Sequence, residues 1–219
     1  MRDTLWKLAL AGGDRRSKAS HRAQERFLAE VKGVALSIGG GPTRISPRLR
    51  NLNIALVGEV DLLGDAHSLP VASASVGGVH CEAVLEHLEF PVSAVGEMFR
   101  VLLEGGLVYA ATPFLQPFHG YPSHFQNFTL EGHRRLFERA GFEVLEAGCC
   151  VGPAFAIAEL VRFVLRETWP AGTAGRYLAA AWWLVSQPIR ATDLAFANMP
   201  AAHLVCSTTY LLARKPASA

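Results

Sequence analysis

The sequence predicts an α/β fold built on a mostly parallel sheet with helices on both faces. Short apolar runs alternate with helical patterns along the chain, several runs end in glycine or proline, and half of the 219 residues are apolar. A chain of this length is sufficient for one sizeable core, so we expect a single domain with one active cleft.

An amphipathic helix leads into the fold. Over residues 18–32 the side chains of Ala23, Phe27 and Val31 share one helical stripe, and Gly33 ends the pattern. The segment GVALSIGGGP follows, an apolar run that ends in three glycines and a proline. Such a run suits a buried strand whose end turns sharply beneath a ligand.

The middle of the chain carries the clearest helix. Pro91 suits its first turn, the apolar residues that follow repeat at helical spacing, and Gly105 is expected to end it. Strands are predicted on both sides of this helix, near residues 51–56, 59–64 and 76–81 and in the segment GLVYAATPF.

The C-terminal half continues the alternation. A loop rich in histidine and aromatic residues, PFLQPFHGYPSHFQNF, leads to a helix that Thr129 caps and Gly141 ends. The remaining predicted elements are a strand in FEVLEAGCC, helices over 154–166 and 174–187, and a last strand within 203–214.

Charge and composition exclude several classes of function. The net charge is only +2 and the basic residues are scattered apart from RRSKASHR, so we expect no nucleic-acid partner. The apolar run YLAAAWWLV is far shorter than the roughly 20 residues of a membrane span, and LWKLALAGG is a poor secretory signal. The four cysteines lack C-x-x-C spacing, which favours a reduced, cytoplasmic protein over a disulfide-bonded or zinc-binding one.

Five segments in order resemble a known family. They are ALSIGGGP, GDAHSLP, CEAVLEHL, EMFRVLLEGGLVYAATPF and FTLEGHRRLFERAGFEV, within about residues 33–146. The series resembles the class I S-adenosylmethionine-dependent methyltransferases of the type 11-like kind, and the loop TPFLQPFHGYPSHFQNFT is similar to their small-molecule or glycan-associated branch. The resemblance implies a Rossmann-like, mostly parallel seven-stranded sheet flanked by helices, here with extra C-terminal helices.

The resemblance also implies how the chain is organised. We expect one methyltransferase-like domain over residues 1–219. Its parts are a leading helix at 18–32, a cofactor-binding core at 33–150, a helical insertion at 151–202 and the last strand at 203–214. The insertion, which carries Trp169, Trp182 and Trp183, is a candidate roof for an apolar acceptor pocket, a candidate dimer interface, or simply part of the core.

The family's cofactor contacts carry over onto nine positions of this sequence. These are Ser37, Gly39, Gly40, Gly41, Asn53, Asp65, Ala66, Cys81 and Glu82. The resemblance implies that the glycines let the backbone approach the methionine and ribose moieties of S-adenosylmethionine. It also implies that Asp65 and the backbone of Ala66 hold the adenine amino group. Cys81 and Glu82 are then expected to line the cleft at the end of the fourth strand.

Three positions depart from the family's pattern, because acids are usual where this chain has Ser37, Asn53 and Gly77. Asn53 can still accept one ribose hydrogen bond, but a carboxylate contact is about twice as strong as an amide contact. The losses motivate two alternatives to methyl transfer. One is a cyclisation, elimination or rearrangement on the same fold, and the other is a non-catalytic partner subunit.

Candidate catalytic groups lie in the loop after the fifth predicted strand. Histidine is suited to take a proton from an acceptor hydroxyl near neutral pH, and this loop contains His119 and His124. Each of them could instead hold loop backbone or stack on the aromatic residues nearby. Tyr121 and Phe118 are candidate contacts to the acceptor.

Glu86 and His87 form an adjacent acid and imidazole pair ahead of the central helix. Side chains of neighbouring residues diverge by roughly 100° on a helix, so we expect this pair to be structural. The other histidines show no ligand spacing, and no metal site is expected.

The resemblance implies an enzyme that transfers the methyl group of S-adenosylmethionine to a small molecule in a biosynthetic reaction. Oxygen is the first choice of acceptor atom, and in-line displacement with a loop histidine as base is the expected mechanism. The expected partners are a small-molecule substrate and, through the C-terminal section, a second copy of the chain.

Overall fold

A seven-stranded sheet forms the centre of the structure, a computed structural model that describes residues 16–41, 44–56, 58–120, 123–168 and 173–217. The strands are β1 (Ala35–Ile38), β2 (Leu49–Asn53), β3 (Leu62–Leu63), β4 (Val76–Glu82), β5 (Leu102–Pro113), β6 (Glu143–Val151) and β7 (Thr208–Arg214). Their order across the sheet is β3-β2-β1-β4-β5-β7-β6. All neighbours pair in parallel except β7, which runs antiparallel to both β5 and β6. The predicted fold class is confirmed.

Helices cover both faces of the sheet. They are α1 (Lys18–Glu30), α2 (Pro91–Val101), α3 (Leu130–Arg139), α4 (Pro153–Glu167), α5 (Thr173–Val185), α6 (Gln187–Ala191) and α7 (Asp193–Phe196). Short 3-10 turns lie at Leu85–His87 and Ala202–Leu204. Within the described ranges, none of the helices has the length and apolar character needed to cross a membrane.

Two hydrophobic clusters make the molecule three layers thick. Phe27 of α1 packs with Tyr109 of β5 on one face of the sheet. Met98 of α2 and Phe137 of α3 pack on the other face. All four side chains are completely buried, so the apolar stripes of the helices face the core, as their spacing predicts.

Local signals fix most helix ends. The hydroxyl of Thr129 accepts the backbone N–H of Gly132 at 3.1 Å, as a helix N-cap does. Pro91 occupies the first turn of α2. That helix ends at Val101, before the predicted stop at Gly105, because Leu102 already pairs with Val76 in the sheet.

The half of the sheet that contains β2 and β3 is thinner than the pattern suggested. The strand expected at 59–64 is only the two residues of β3, and both are exposed. Among the described residues, no helix connects β1 to β2 or β2 to β3. An apolar strand with no helix packed over it has little to bury, which explains why β3 is short.

A close backbone contact joins the end of the leading helix to β4. A Cβ atom built on Gly77 would lie 1.8 Å from the carbonyl oxygen of Lys32, just after α1. The backbone N–H of Gly77 also donates to the carbonyl of Val34 at 2.8 Å. Only glycine fits here, since the atom in the way belongs to backbone that cannot rotate aside.

Candidate functional site

The glycine turn after β1 meets the turn after β4. Gly39 and Gly41 have φ angles of +65° and +66°, in the left-handed region that favours glycine. A Cβ atom on Gly39 would lie 2.4 Å from Cγ2 of Val84, which follows the end of β4. The two turns therefore touch at the carboxyl ends of adjacent parallel strands, where open α/β sheets bind their ligands.

Two buried polar atoms lie beneath this glycine turn. A Cβ atom on Gly40 would lie 2.6 Å from Oδ1 of Asn51 and 2.8 Å from Oγ of Ser37. Neither oxygen has a hydrogen-bond partner in the part of the chain that the structure describes. Because buried polar atoms are nearly always paired, the turn is a place where a bound polar group or a water molecule would complete the hydrogen bonding.

The next two strands end in the residues expected to contact ribose and adenine. Asn53 is the last residue of β2, and its Oδ1 makes one long contact, 3.5 Å from the backbone nitrogen of Ala55. The carboxylate of Asp65 accepts the backbone N–H of His67 at 2.9 Å and contacts its ring nitrogen Nδ1 at 2.7 Å. These hydrogen bonds, the backbone one first, lower the pKa of Asp65. Ala66 beside it is buried.

β4 ends in one buried and one accessible residue. The side chain of Cys81 is completely buried in the core, and burial raises the pKa of its thiol far above the usual range. Glu82 is about a quarter exposed, with 24% of its side chain accessible, and it borders the cleft. Its carboxylate pairs with Arg16 and lies 3.6 Å from Nε2 of His80. The Arg16 contact ties the segment before α1 to the cleft.

A cleft opens beyond the carboxyl ends of β4 and β5. Its outer part, about 620 Å³, lies between the loop at 116–120 and α4. The side chains that α4 contributes are Phe155, Glu159, Arg162, Phe163, Arg166 and Glu167. Its inner part, about 110 Å³, has a polar floor made by Glu82, Glu86, Thr112, Gln116, His119 and Thr208. Gln116, His119 and Val151 border both parts, which therefore adjoin and form one cleft.

The C-terminal section holds α4 over the cleft. The carboxylate of Asp193 accepts the backbone N–H groups of Ala154 at 3.0 Å and of Phe155 at 2.8 Å. These N–H groups lie in the first turn of α4, where the helix itself offers them no partner. Asp193 thereby fixes the start of the helix whose side chains form one wall of the cleft.

The two loop histidines use their ring nitrogens differently. Nδ1 of His124 accepts the backbone N–H of His119 at 3.1 Å, and its Nε2 donates to Oδ1 of Asn127 at 2.7 Å. Both nitrogens of His124 therefore hold the loop together. Nδ1 of His119 donates to the carbonyl of Pro117 at 3.1 Å, which directs its Nε2 towards the floor of the cleft. Between the two, His119 has the ring nitrogen that a substrate can reach.

Glu86 lies next to His119 and is completely buried. Its Oε2 accepts the hydroxyl of Thr112 at 3.3 Å, while its Oε1 has no hydrogen-bond partner within the described ranges. Oε1 is 3.8 Å from Nε2 of His119 and 3.7 Å from Nε2 of His87. The carboxyl group of Glu86 raises the pKa of His119 above its ordinary value. The pair expected to be structural thus lies beside the candidate base.

The remaining predicted contacts lie on the same loop. Phe118 is exposed, borders the outer cleft and stacks on His124 with ring centroids 5.7 Å apart. Tyr121 and, in the C-terminal section, Trp169 fall outside the described residues. The sequence did not indicate Arg16 or the α4 side chains as parts of the site, since they lie outside the segments that resemble the family. Thr112 lies inside one of these segments, EMFRVLLEGGLVYAATPF, but nothing there marks it as a site residue.

Comparisons with known proteins agree with this architecture. Residues 36–110 match the family model described as a methyltransferase domain, whereas no curated protein matches the sequence. The [4+2]-cyclase SpnF has a TM-score of 0.59 at 20% identity, covering 92% of this chain and 81% of SpnF. An S-adenosylmethionine-dependent methyltransferase from Archaeoglobus fulgidus has a TM-score of 0.54 at 14% identity, covering 90% and 93% of the two chains.

A third similar structure contains the methyl donor. Phosphoethanolamine N-methyltransferase 2 of Haemonchus contortus, in complex with S-adenosyl-L-methionine, has a TM-score of 0.53 at 15% identity, covering 91% of this chain and 52% of the enzyme. Identities this low show a common fold, and the family model adds a match in sequence. The predicted resemblance is therefore confirmed: the chain has the class I S-adenosylmethionine-dependent methyltransferase fold, and its residues 36–110 match the sequence model of a methyltransferase domain.

Proposed function

We propose that the protein transfers the methyl group of S-adenosylmethionine to a hydroxyl oxygen of a small molecule bound in the cleft. The observation that carries the proposal is the convergence of the glycine turn, Glu82 and Nε2 of His119 at the carboxyl ends of neighbouring strands. When bound, S-adenosylmethionine supplies an electrophilic methyl group on a sulfonium ion. The protein must then align an acceptor and receive a proton.

The residues at the strand ends fit this cofactor. The left-handed glycines let the backbone approach a ligand closely, and the two unpartnered oxygens beneath the turn would gain partners from a polar ligand or its waters. Asp65 keeps a charged carboxylate for the adenine amino group. Asn53 offers an amide oxygen to a ribose hydroxyl, with one charge fewer than the family's usual acid. We therefore expect weakened cofactor binding.

The acceptor would lie in the cleft under α4. The rings of Phe118, Phe155 and Phe163 line its outer part and would hold an apolar portion of the acceptor. Nε2 of His119 would take the hydroxyl proton as the oxygen becomes nucleophilic, and the negative charge of Glu86 would stabilise the resulting imidazolium. His124 would position His119 through its backbone. A contact from Tyr121 stays a prediction.

Calorimetric titration with S-adenosylmethionine tests the cofactor part of the proposal. We expect binding by the wild-type protein and loss of binding in G39A, whose new Cβ would collide with Val84. G96A is the matched control, because a Cβ at Gly96 meets no heavy atom within 4 Å beyond its chain neighbours and the backbone of its own helix. Absence of binding at millimolar cofactor would contradict the proposal.

A second candidate function is a cyclisation, elimination or rearrangement on the same fold. It is supported by the missing acids at Ser37 and Asn53 and by the similarity to SpnF, which is a [4+2]-cyclase. Mass spectrometry of the product separates the two candidates. Methylation adds the mass of one CH₂ group to the acceptor, whereas a rearrangement or cyclisation leaves the mass unchanged.

We also propose that the chain acts as one methyltransferase-like domain in the cytoplasm and forms a homodimer through its C-terminal helices. All four cysteines are free thiols, which suits a reducing compartment. Tyr177, Leu184 and Leu194 are between 64% and 77% exposed and would be covered in a dimer. Light scattering should give twice the monomer mass, and L184E should lower it. A monomeric wild-type protein would contradict the dimer.

A further inference from the structure

We infer that Glu86, His87 and His119 form a binding site for a divalent transition-metal ion such as Zn²⁺ at the floor of the cleft. Each residue offers one ligand atom, and the three atoms lie within 4.8 Å of one another. Binding of the ion stands on this geometry alone, whereas the ion's role in the reaction rests on the proposed function.

The spacing of the ligand atoms suits a shared ion better than direct hydrogen bonds. Oε1 of Glu86 lies 3.7 Å from Nε2 of His87 and 3.8 Å from Nε2 of His119. A charge-assisted N–H···O hydrogen bond is about 2.7–2.9 Å long, so both separations are too long for one. Two ligands bound tetrahedrally to one zinc ion, each at about 2.0–2.1 Å, lie about 3.3 Å apart. Small side-chain adjustments would bring the cluster to that spacing.

Hydrogen bonds around the cluster direct the correct nitrogen of each ring inwards. Nδ1 of His87 donates to the carbonyl of Ser123, and Nδ1 of His119 donates to the carbonyl of Pro117. In a neutral imidazole, a proton on Nδ1 leaves the lone pair on Nε2. Metal-binding histidines are commonly held in this way, by a backbone carbonyl that fixes the tautomer and the ring orientation.

Glu86 gives a second, independent indication. Its side chain is completely buried, and Oε1 is without a hydrogen-bond partner in the described part of the chain. Burying a carboxylate oxygen without a partner is costly, and a cation is the partner that suits an oxygen facing two imidazole lone pairs. Thr112 binds the other oxygen and so fixes the plane of the carboxylate. The cluster cannot be recognised from the sequence, because only the course of the long loop after β5 brings His119 close to Glu86 and His87.

The donor set indicates the kind of ion and its relation to the acceptor. Two imidazoles and one carboxylate suit Zn²⁺ and its neighbours in the first transition series better than Mg²⁺ or Ca²⁺. Three protein ligands leave a coordination position for a small molecule, and Glu86 and His119 both border the inner cleft. The ion and a proton cannot share the lone pair of His119. With the ion bound, His119 would be a ligand, and the ion would lower the pKa of the acceptor hydroxyl so that the hydroxyl could lose its proton to solvent.

Cobalt binding to the metal-free, tag-free full-length protein tests the site without any substrate. We expect one equivalent of Co²⁺ to bind and to give visible d–d absorption bands. H119A and H87A should weaken binding at least about 100-fold, since changes merely next to metal ligands cost about 10- to 100-fold. H119A is the safer variant for folding, because 39% of the His119 side chain is exposed. The variant H21Q, which replaces an exposed histidine on α1, should bind cobalt as the wild type does.

Three results would overturn the site. These are absence of cobalt binding, equal affinity in wild type, H119A and H87A, and a cobalt–thiolate charge-transfer band that assigns the ion to cysteine. A protein that binds cobalt but not S-adenosylmethionine keeps the metal site and refutes the methyltransferase proposal. A protein that methylates at an unchanged rate after chelation and binds no cobalt refutes the metal site and keeps His119 as the base.

Discussion

Replacing Asn53 with aspartate should strengthen the binding of S-adenosylmethionine. Asn53 ends β2 and is partly buried, and its Oδ1 makes only a 3.5 Å contact with the backbone nitrogen of Ala55. The substitution keeps the shape of the side chain and replaces a neutral acceptor with a charged one. Asp61, which accepts the backbone N–H of Asn51 on the same strand, is paired with Arg44 at 2.8 Å, and this pairing limits repulsion of a new carboxylate.

The size of the gain follows from the strength of the two kinds of hydrogen bond. A neutral hydrogen bond contributes about 1 kcal/mol net, and one to a charged group contributes about 1.5–3 kcal/mol. The difference, about 0.5–2 kcal/mol, corresponds to an affinity about 2- to 30-fold higher. Partial exposure at the strand end keeps the cost of desolvating the new charge small.

Isothermal titration of wild type, N53D, N53A and N198D with S-adenosylmethionine measures the effect. N53A should bind more weakly than wild type. Asn198 is exposed and its Oδ1 accepts the backbone N–H of Lys18 at 2.7 Å. N198D adds the same charge and keeps that hydrogen bond, and it loses only the 2.9 Å bond from Nδ2 to the carbonyl of Leu194. Unchanged or weaker binding by N53D would refute the ribose contact. An equal gain in N198D would show that only net charge had acted.

Three further predictions concern catalysis, packing and pH. H119A should lower kcat by about 100- to 10,000-fold, whereas H124A should lower kcat less, because His124 only holds the loop in place. Equal losses of kcat in the two variants, measured by steady-state kinetics, would contradict this distinction. G77A should lower the free energy of unfolding by about 1–3 kcal/mol in urea titrations, because the new Cβ would lie 1.8 Å from the Lys32 carbonyl oxygen. G96A, in the interior of α2, should instead match the wild type or exceed it by up to about 1 kcal/mol. Burial lowers the pKa of His133 to about 3, so the unfolded chain binds a proton at a higher pH than the native protein does. Burying His133 in its neutral form should therefore cost no stability above about pH 6.5, and below that pH it should lower the free energy of unfolding by about 1.4 kcal/mol per pH unit. In urea titrations between about pH 7 and pH 5, H133Q should lose less stability than the wild type.

Elements with strong local signals were predictable from the sequence. The helix after Thr129 has a capping side chain and an apolar stripe, and the structure places its cap at that residue. The central helix begins at Pro91 as predicted. Its end was not predictable, because the pairing of Leu102 with Val76 depends on the sheet and not on a local stop signal. The strand expected at 59–64 is short because nothing packs over it, which is also a property of the whole fold.

The same division applies to the candidate site. The glycine turn was recognisable because the conformations of Gly39 and Gly41 require glycine. The contact between Glu86 and His119 was hidden, since adjacency suggested only that Glu86 and His87 diverge. In the 3-10 turn at Leu85–His87 the two side chains nevertheless approach each other, with Oε1 of Glu86 3.7 Å from Nε2 of His87. The reasoning also says nothing about a third residue arriving from a distant loop. The separate tasks of His119 and His124 depend on hydrogen bonds within that loop, which no spacing rule specifies.

The contact between the Lys32 carbonyl and Gly77 changes how a lost acid should be understood. A carboxylate at position 77 would need the space that the chain leaving α1 occupies, so the identity of this residue is linked to the path of the leading helix. Across homologues, glycine at this position should co-vary with a leading segment that packs as it does here, and an acid should occur where that segment ends earlier or is displaced. Glycine at position 77 is then explained by the packing of the leading helix and not by a loss of catalysis.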